Sequence, residues 1–346
     1  MSKNQPDYLM KKIQYGYYLC KTINLSRICN YIKLLFSFFL SEISKNPKIK
    51  GKPYSLSIEP SGFCNLKCPE CPVGSGVLNR KGGNMSIELY KKILTESQPE
   101  LGWLNLYFQG EPFLNQELFE MIGEAQKLNI FTSISTNGHF LNDENCQKII
   151  DSKLSEIIIS IDGITDLTYS KYRKGGDLQK VKEGVIRLIE KRESSNSVLP
   201  FVTIQFLVFK HNEKEIPDIM DWCKKEKVDK LKLKTAQLND FGTGEIEPPS
   251  MKKYSRYIQN ENGTLSIKKT IKNHCFKQWS SAVFSYNGQM APCCYDKDLH
   301  YSPGNIKDNT LEQLWNSSKM NNFRKNVLKN KKSIIICNNC PEGRGF

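Results

Sequence analysis

The stretch that decides the fold is Glu59-Pro-Ser-Gly-Phe-Cys-Asn-Leu-Lys-Cys-Pro-Glu-Cys-Pro72, which spaces Cys64, Cys68 and Cys71 as C-x3-C-x2-C. It follows a strand-like run, Tyr54–Ile58. Ligands of α/β proteins bind where parallel strands end, so we expect this loop at the mouth of a parallel sheet. Three thiolates are one fewer than a structural zinc ion or a fully protein-ligated [4Fe–4S] cube takes. A cube held here would keep one iron open to a small molecule.

Strand-like and helix-like runs alternate from Tyr54 to about Gln237. The predicted strands are Tyr54–Ile58, Trp103–Phe108, Phe131–Ser135, Glu156–Ile161, Phe201–Phe209 and Lys230–Lys234. The predicted helices are Ser86–Ser97, Gln116–Leu128, Asp143–Asp151, Leu178–Arg192 and Lys214–Lys225. Several strands are apolar on consecutive residues, which is typical of a parallel sheet buried on both faces. The pattern predicts an α/β fold, a (β/α)6 partial TIM barrel.

Composition divides the 346 residues into four parts. We expect an N-terminal extension over 1–52, the barrel over 53–237, a linker over 238–274 and a small α+β domain over 275–346. The linker is polar and contains Pro248-Pro249. In the last part, Asn287-Gly288 predicts a type I′ hairpin turn, and Thr310–Leu328 has the pattern of one amphipathic helix.

Charge and cysteine usage exclude several classes of protein. The formal net charge is +14, but ten basic residues against Asp7 and Glu42 place +8 of it within residues 1–52. We therefore expect no nucleic-acid partner for the chain as a whole. There is no run of about 18 apolar residues, so we expect no spanning helix. Seven of the twelve cysteines cluster, as C-x3-C-x2-C, Cys293-Cys294 and Cys337-x2-Cys340, which predicts metal binding in a reducing, cytoplasmic compartment.

The C-x3-C-x2-C loop at the end of the first barrel strand resembles the signature of the radical S-adenosylmethionine (radical SAM) enzymes. The resemblance implies that Cys64, Cys68 and Cys71 hold a [4Fe–4S] cluster whose open iron binds S-adenosylmethionine. It also implies reductive cleavage to a 5′-deoxyadenosyl radical that abstracts a substrate hydrogen, with a flavodoxin- or ferredoxin-type electron donor. The alternative is a zinc site completed by a distant ligand.

Further motifs of this family follow the next strands. Gly110 and Glu111 match the end of its Gly-Gly-Glu-like motif, which contacts the methionine amino group, although Gln109 replaces the first glycine. Ser160, Asn137 and Asp162 stand where relatives contact the ribose and the methionine carboxylate. The alternative is that these three belong to two strand-ending turns, Ser135–Gly138 and Ser160–Gly163. Glu70 replaces the residue before the third cysteine that is often aromatic in the family, so the adenine contact is left open.

The C-terminal part resembles the SPASM/Twitch extensions of this superfamily. The resemblance implies one auxiliary [4Fe–4S] cluster held by Cys275, Cys293, Cys337 and Cys340. Cys294 is an alternative to Cys293, and a four-cysteine zinc knot is the less favoured alternative to the cluster. With four protein ligands, such a cluster would carry an electron and not bind substrate.

The resemblance does not extend to the substrate. Sulfatase-maturing relatives have an aspartate where this chain has Cys294, so their substrate chemistry is not carried over. Net oxidation of a polar small molecule, with the auxiliary cluster taking the electron, is our expectation, and modification of a peptide or protein side chain is the alternative. A non-enzymatic iron–sulfur or zinc protein is the alternative from another class. Gln205, Lys234, Thr235 and Gln237 could face the barrel interior, and we assign them no role.

The N-terminal segment, residues 8–44, interleaves aromatic and aliphatic residues with lysines. One interpretation is a helical extension that packs against the barrel. The other is an interfacial helix that touches anionic lipid.

Overall fold

The computed structural model describes residues 13, 15–239, 244–261, 264–268 and 270–340. The first twelve residues and Gln14 of the expected N-terminal extension lie outside this part of the chain, as do the last six residues of the expected C-terminal domain and seven residues of the expected linker.

One nine-stranded sheet forms the centre of the molecule, in the order β11-β10-β9-β1-β2-β3-β4-β5-β6. Strands β1 to β6 are sequential neighbours and every pair among them is parallel, which confirms the predicted (β/α)6 arrangement. The strands are β1 (Ser55–Ile58), β2 (Trp103–Asn105), β3 (Phe131–Thr136), β4 (Glu156–Ser160), β5 (Phe201–Val208), β6 (Lys230–Thr235), β7 (Tyr257–Gln259), β8 (Leu265–Ile267), β9 (Ser281–Phe284), β10 (Gln289–Ala291) and β11 (Gly304–Asn305).

Helices connect the parallel strands and cover the sheet, as parallel crossovers require. The helices are α1 (Leu25–Ser44), α2 (Ile87–Glu96), α3 (Leu118–Lys127), α4 (Asp143–Asp151), α5 (Asp166–Tyr172), α6 (Leu178–Ser194), α7 (Ile216–Lys225), α8 (Lys277–Ser280), α9 (Leu311–Trp315), α10 (Ser318–Asn330) and α11 (Ile335–Asn338). The main core packs strand residues such as Leu56, Leu104 and Ile157 against helix residues such as Ile93 and Val185. None of the helices in the described residues is long and apolar enough to cross a membrane.

The C-terminal part continues the barrel sheet, which the sequence analysis did not predict. Strand β9 pairs in parallel with β1 along its whole length, and β10 then pairs antiparallel with β9. A buried bidentate ion pair between Arg80 and Glu59 lies at this junction, with N–O distances of 2.6 and 2.7 Å. Arg80 Nε also donates to the carbonyl of Lys297, so one side chain ties the barrel to the C-terminal part.

Several local predictions differ from the structure. The predicted helix Thr310–Leu328 is two helices, because Ser317 caps a new one by accepting from the Met320 N–H. The predicted type I′ turn is wrong, because Gly288 has a positive φ of 87° and Asn287 does not. Helix α4 has the predicted bounds, Asp143–Asp151, and Asn142 caps it by accepting from the Asn145 N–H.

The expected linker also holds secondary structure. Strands β7 and β8 form a separate antiparallel hairpin within it. The hairpin is joined to the barrel and the tail by Tyr257, whose hydroxyl donates to Asn339 at 2.8 Å and accepts from the Leu238 N–H at 2.9 Å.

Candidate active site

The cysteine loop leaves β1 and packs over the carboxyl ends of the parallel strands. Cys68 is buried, while Cys64 and Cys71 are half-buried, against a small apolar cluster that includes Leu66, Tyr172 and Phe209. The loop is compact, since the Cys71 N–H donates to the Cys68 carbonyl at 3.1 Å. Gly74 makes the close packing possible, because a Cβ there would lie 2.5 Å from the Cys68 nitrogen. Three thiols therefore sit at the mouth of the barrel on one tightly packed loop.

Gly110 and Glu111 dock onto this same loop. Gly110 has a φ of +71°, and an added Cβ would lie 2.2 Å from the Ser61 carbonyl oxygen, so no larger residue fits. The Glu111 N–H donates to the Phe63 carbonyl at 2.7 Å, one residue before Cys64. This backbone hydrogen bond holds the Gly110-Glu111 motif, which follows β2, against the cysteine loop.

The Glu111 carboxylate is buried and lies at the end of β3. It accepts from the Thr136 hydroxyl and from the Asn137 N–H, both at 2.8 Å. Burial raises the pKa of Glu111 to about 7, while the hydrogen bonds from Asn137 and Thr136 oppose that rise. A buried carboxylate near the mouth of the barrel is suited to binding a cationic amino group, which would compensate its desolvation.

Asn137 joins the third strand to the cysteine loop. Its amide nitrogen donates to the Asn65 side chain at 2.7 Å and lies 3.9 Å from Cys64 Sγ. Its amide oxygen lies 2.9 Å from His139 Nδ1, and His139 Nε2 accepts from the Asp177 N–H at 2.8 Å. Burial lowers the pKa of His139, so a neutral ring with its proton on Nδ1 fits both contacts. His139 was not predicted, and its only signal in the sequence is its place two residues after Asn137.

Asp162 is fully buried and its oxygens are already engaged. One accepts from the Leu207 N–H at 2.6 Å, and the other accepts from Arg173 Nε at 2.7 Å. Arg173 Nη1 in turn lies 4.0 Å from Cys68 Sγ. The role of Asp162 that these contacts support is to position Arg173 beside the thiol loop, rather than to meet a ligand directly.

Arg173 is the most informative residue that the sequence analysis missed. Burial alone would lower its pKa, but Asp162 and Cys68 outweigh burial and raise it, so the guanidinium stays charged. Burial likewise raises the pKa of Cys68 to about 11, and Arg173 opposes that rise. A fixed positive charge at this point complements an anionic thiolate-ligated cluster. The one signal in the sequence is an arginine before Gly175-Gly176 and eleven residues after Asp162.

Ser160 ends β4 and lies in register with the two following strands. The parallel pairing aligns Ser160 with Gln205, and Gln205 with Lys232. The chain neighbours of Gln205, Ile204 and Phe206, belong to the core between sheet and helices, so Gln205 faces the other side. A row of polar side chains therefore crosses the interior face of the barrel.

Several polar and ionisable side chains lie on the interior side of the sheet. We call the region that they face the inner chamber and define it by Tyr107, Glu156, Gln205, Lys234 and Cys294. Glu156 accepts from the hydroxyls of Ser133 and Thr203, at 3.1 and 2.9 Å, and so bridges β3 to β5. Burial raises the pKa of Tyr107 to about 12, and nearby Glu156 and Cys294 add to the rise.

Glu70, the departure from the family pattern, lies at the edge of this region. Its carboxylate is buried and accepts from the Asn239 N–H at 2.6 Å, beyond the end of β6. In this chain the position before the third cysteine ties the loop to the segment that follows the last barrel strand.

The second set of thiols comes from three separate segments. Cys275, Cys293, Cys337 and Cys340 line one small cavity, together with Cys294. The Cys340 N–H donates to the Cys337 carbonyl at 3.2 Å, which makes the C-x2-C pair a tight turn. Burial raises the pKa of Cys293, with Cys294, Cys275 and Cys337 adding to the rise. Cys293 is half-buried beside these thiols and Cys294 is exposed.

The donor sets suit iron–sulfur clusters. In both places the donors are thiols, which are the protein ligands of such clusters. Among the described residues, no three His, Cys, Asp or Glu side chains are gathered around a point that would hold a single metal ion. When metal-free, the buried thiols are held as neutral groups, and binding of a cluster would release their protons.

Comparison with known proteins agrees with this geometry. The family model of the radical SAM superfamily matches residues 58–223, and that of the SPASM iron–sulfur cluster-binding domain matches residues 275–341. A tungsten-containing aldehyde ferredoxin oxidoreductase cofactor-modifying protein of Pyrococcus furiosus is 26% identical over 304 residues, which are 78% of this chain and 82% of that protein. The PqqA peptide cyclase of Gluconobacter oxydans is 25% identical over 297 residues, 80% of each chain.

Solved structures show the same fold. SuiB of Streptococcus suis, bound to its precursor peptide SuiA, superposes with a TM-score of 0.62 at 15% identity, over 83% of this chain and 69% of that one.

These findings define an enzyme that binds S-adenosylmethionine and iron–sulfur clusters. The chain belongs to the radical SAM superfamily and carries a C-terminal SPASM domain, as predicted. Its cofactors are a [4Fe–4S] cluster with S-adenosylmethionine and an auxiliary iron–sulfur cluster. The alternatives of a zinc knot and of a non-enzymatic sensor are therefore set aside.

Proposed function

We propose that this radical SAM enzyme abstracts a hydrogen atom from a polar small molecule held in the inner chamber, leading to its net oxidation. The observation that supports the proposal is the position and lining of that chamber. Lys234 lies close enough to both Asp162 and Cys294 to interact with their charges. Asp162 holds Arg173 beside Cys68, and Cys294 adjoins Cys293. These interactions link the chamber to both sets of thiols, which supports the proposal.

The ligands and the domains follow the same proposal. Cys64, Cys68 and Cys71 would hold the first cluster within a barrel of residues 53–237. Cys275, Cys293, Cys337 and Cys340 would hold the second within residues 275–346. Gly110 and Glu111 are suited to the methionine end of S-adenosylmethionine. The buried carboxylate of Glu111 accepts from the Asn137 N–H, and the Asn137 side chain lies beside Cys64.

The chemistry that the cofactors supply when bound is a 5′-deoxyadenosyl radical at the first site and one-electron uptake at the second. The substrate would lose a hydrogen atom to form 5′-deoxyadenosine, then one electron to the auxiliary cluster and one proton to a base, which balances as a two-electron oxidation. The chain supplies placement: Ser160, Asn137 and Gln205 stand on the carboxyl-end side of the sheet, and Glu156 is fixed below them by two hydroxyls. A flavodoxin- or ferredoxin-type donor would deliver the starting electron.

Deuterium transfer tests the proposal. The reconstituted enzyme, with S-adenosylmethionine and dithionite, would be offered polar small molecules deuterated at their C–H positions. Mass spectrometry should find deuterium in 5′-deoxyadenosine and a product two hydrogens poorer. Formation of 5′-deoxyadenosine with no transfer from any such molecule, but with transfer from a labelled peptide, would contradict a small-molecule substrate.

Peptide modification is the second candidate, and a specific similarity favours it. A relative that covers 80% of this chain is a peptide cyclase. The separate β7–β8 hairpin lines a wide opening next to the barrel, with Ile258 and Leu265 exposed at its surface. Saturable binding of a precursor peptide at this opening, abolished by Ile258→Asp, would support this candidate. Wild-type binding by the Ile258→Asp variant would argue against that location.

A further inference from the structure

Lys234, near the carboxyl end of β6, faces the inner chamber. Leu231 and Leu233 pack against the main core, so the alternation of a strand directs Lys230, Lys232 and Lys234 to the opposite, interior face. Lys232 is in register with Gln205, and Lys234 with Leu207, one step closer to the carboxyl ends of the strands. Lys234 is therefore the lysine of β6 nearest the cofactor end of the chamber.

The charge of these lysines is not balanced by the neighbouring acids. In the described part of the chain, no carboxylate forms an ion pair with Lys232 or Lys234. Asp162, the acid that interacts with Lys234, is already paired with Arg173. Burial lowers the pKa of Lys234 to about 8, and Lys232 and Lys277 lower it further, whereas Cys294 and Asp162 oppose this. Lys234 is half-buried and Lys232 and Lys277 are exposed, and the charges of the two exposed lysines act on Lys234. A half-buried ammonium group beside further positive charge favours an anionic ligand.

We propose that Lys234, with Lys232 and Lys277, binds an anionic group of the substrate, a carboxylate or a phosphate, inside the inner chamber. The inference rests on the proposed function and specifies its substrate class. An anion held at β6 would leave the rest of a small molecule to extend across the sheet toward Ser160, at the end of β4. It would also place the substrate next to Cys294 and the second set of thiols.

Binding of inorganic phosphate tests the site without any turnover. The reconstituted holoenzyme with S-adenosylmethionine, kept without reductant, would be titrated with inorganic phosphate by calorimetry. We expect saturable binding, which Lys234→Met weakens at least about tenfold and Lys234→Arg largely retains. The matched control is Lys230→Met, since Lys230 is exposed at the far end of the same strand and should bind phosphate as the unaltered enzyme does.

The outcomes separate the two proposals. No saturable phosphate binding, or equal binding by the Lys234→Met variant with normal iron content and circular dichroism, would overturn the anion site. Failure of the unaltered enzyme to form 5′-deoxyadenosine when reduced would instead overturn the proposed function, whatever the phosphate titration shows.

A different observation concerns helix α1, whose amphipathic pattern is inverted. The face that packs against the protein is largely polar or small, and includes Arg27, Asn30, Ser37 and Ser41. Arg27 donates to the carbonyls of Leu128 and Asn129, and Asn30 exchanges two hydrogen bonds with the backbone of Lys52. The outward face carries a row of exposed large apolar residues at helical spacing: Leu25, Ile28, Ile32, Leu35, Phe36, Phe39 and Ile43.

The apolar row on the outward face of α1 is exposed to an extent that indicates a binding partner. Phe36 is 54% exposed, Phe39 58% and Leu25 76%. A contiguous exposed apolar surface of this kind on a globular domain indicates an interaction site. Arg27 and Asn30 hold the helix by hydrogen bonds, and Leu34 and Phe38 supply its buried apolar contacts, so the outward apolar row is not needed to attach it.

Charge identifies the partner. Exposed Lys21, Lys33, Lys45, Lys48 and Lys50 flank the apolar row. Glu42 is the single acidic residue from 13 to 52, and it contacts His274 at 2.6 Å. Two copies of such a basic face would repel one another, whereas anionic lipid headgroups would complement it. We infer that α1 docks in the interface of an anionic bilayer, with its apolar row among the acyl chains and the lysines at headgroup level.

Vesicle flotation tests the lipid surface with the full chain. We expect flotation with vesicles of equal parts phosphatidylglycerol and phosphatidylcholine, and at least about tenfold weaker binding to phosphatidylcholine alone. Replacing both rings, Phe36→Ser with Phe39→Ser, should weaken binding to the anionic vesicles at least about tenfold. The control is Leu167→Ser on α5, which removes a residue that is 82% exposed elsewhere and should not change flotation.

Three results would overturn the lipid inference. One is absence of flotation, and another is unchanged flotation of the double variant with normal iron content. The third is a dimer in sedimentation that the double variant converts to a monomer, which would assign the face to a second copy of the chain.

Discussion

The two cysteine sites are built in opposite ways. The first takes three thiols from eight consecutive residues, on a loop that Gly74 and Phe63 lock against the end of one strand. The second collects four thiols from positions 275, 293, 337 and 340, which α8, a hairpin and two further helices bring together. The first site is therefore local and survives as long as the barrel forms. The second depends on the docking of β9 beside β1 and on the packing of α10.

The largest effect should come from breaking the local site. Cys68→Ala removes the most buried thiol of the loop, so we expect 5′-deoxyadenosine formation to fall to background while the fold persists. The measurement is S-adenosylmethionine cleavage after anaerobic reconstitution. Cys29→Ala, which alters an exposed cysteine on α1, should retain full cleavage. Cleavage by the Cys68→Ala variant would disprove the assigned ligand.

Breaking the assembled site should remove one cluster and leave the other. Cys337→Ala should reduce the iron content from about eight to about four atoms per chain, because each [4Fe–4S] cluster contributes four. Reductive cleavage of S-adenosylmethionine should persist, while substrate oxidation is lost. Iron analysis with the cleavage assay checks both. Loss of all iron would show that the two sites do not form independently.

The adjacent thiols Cys293 and Cys294 allow a sharper version of that test. Cys293 lies with Cys275 and Cys337, and Cys294 interacts with Lys234 and Tyr107 in the inner chamber. We therefore expect Cys293→Ser to lose about four iron atoms and Cys294→Ser to keep about eight. The reverse pattern would exchange their roles.

The sequence predicts the features that neighbouring residues determine, and it does not predict those that depend on contacts between distant residues. The strands β1 to β6 could be placed to within three residues at each end, because buried parallel strands leave continuous apolar runs. The cysteine loop was found because its spacing is local. The parallel pairing of β9 with β1 could not be predicted, since nothing in Ser281–Phe284 specifies a partner more than two hundred residues earlier. Arg173 could not be predicted for the same reason, because its role depends on contacts with Asp162 and Cys68, which are distant in sequence.

Arg173 gives the smallest expected effect and shows whether the local site is tuned by residues outside its loop. Its guanidinium would stabilise the more negative, reduced state of a cluster at Cys68, so Arg173→Met should lower the reduction potential by tens of millivolts, roughly 1–2 kcal/mol. Arg173→Lys keeps the charge and should restore most of the shift. Redox titration followed by electron paramagnetic resonance measures it. An unchanged reduction potential in the Arg173→Met variant would contradict this expectation. It would mean that the cysteine loop alone sets the potential and that the Arg173–Asp162 ion pair has only a structural role.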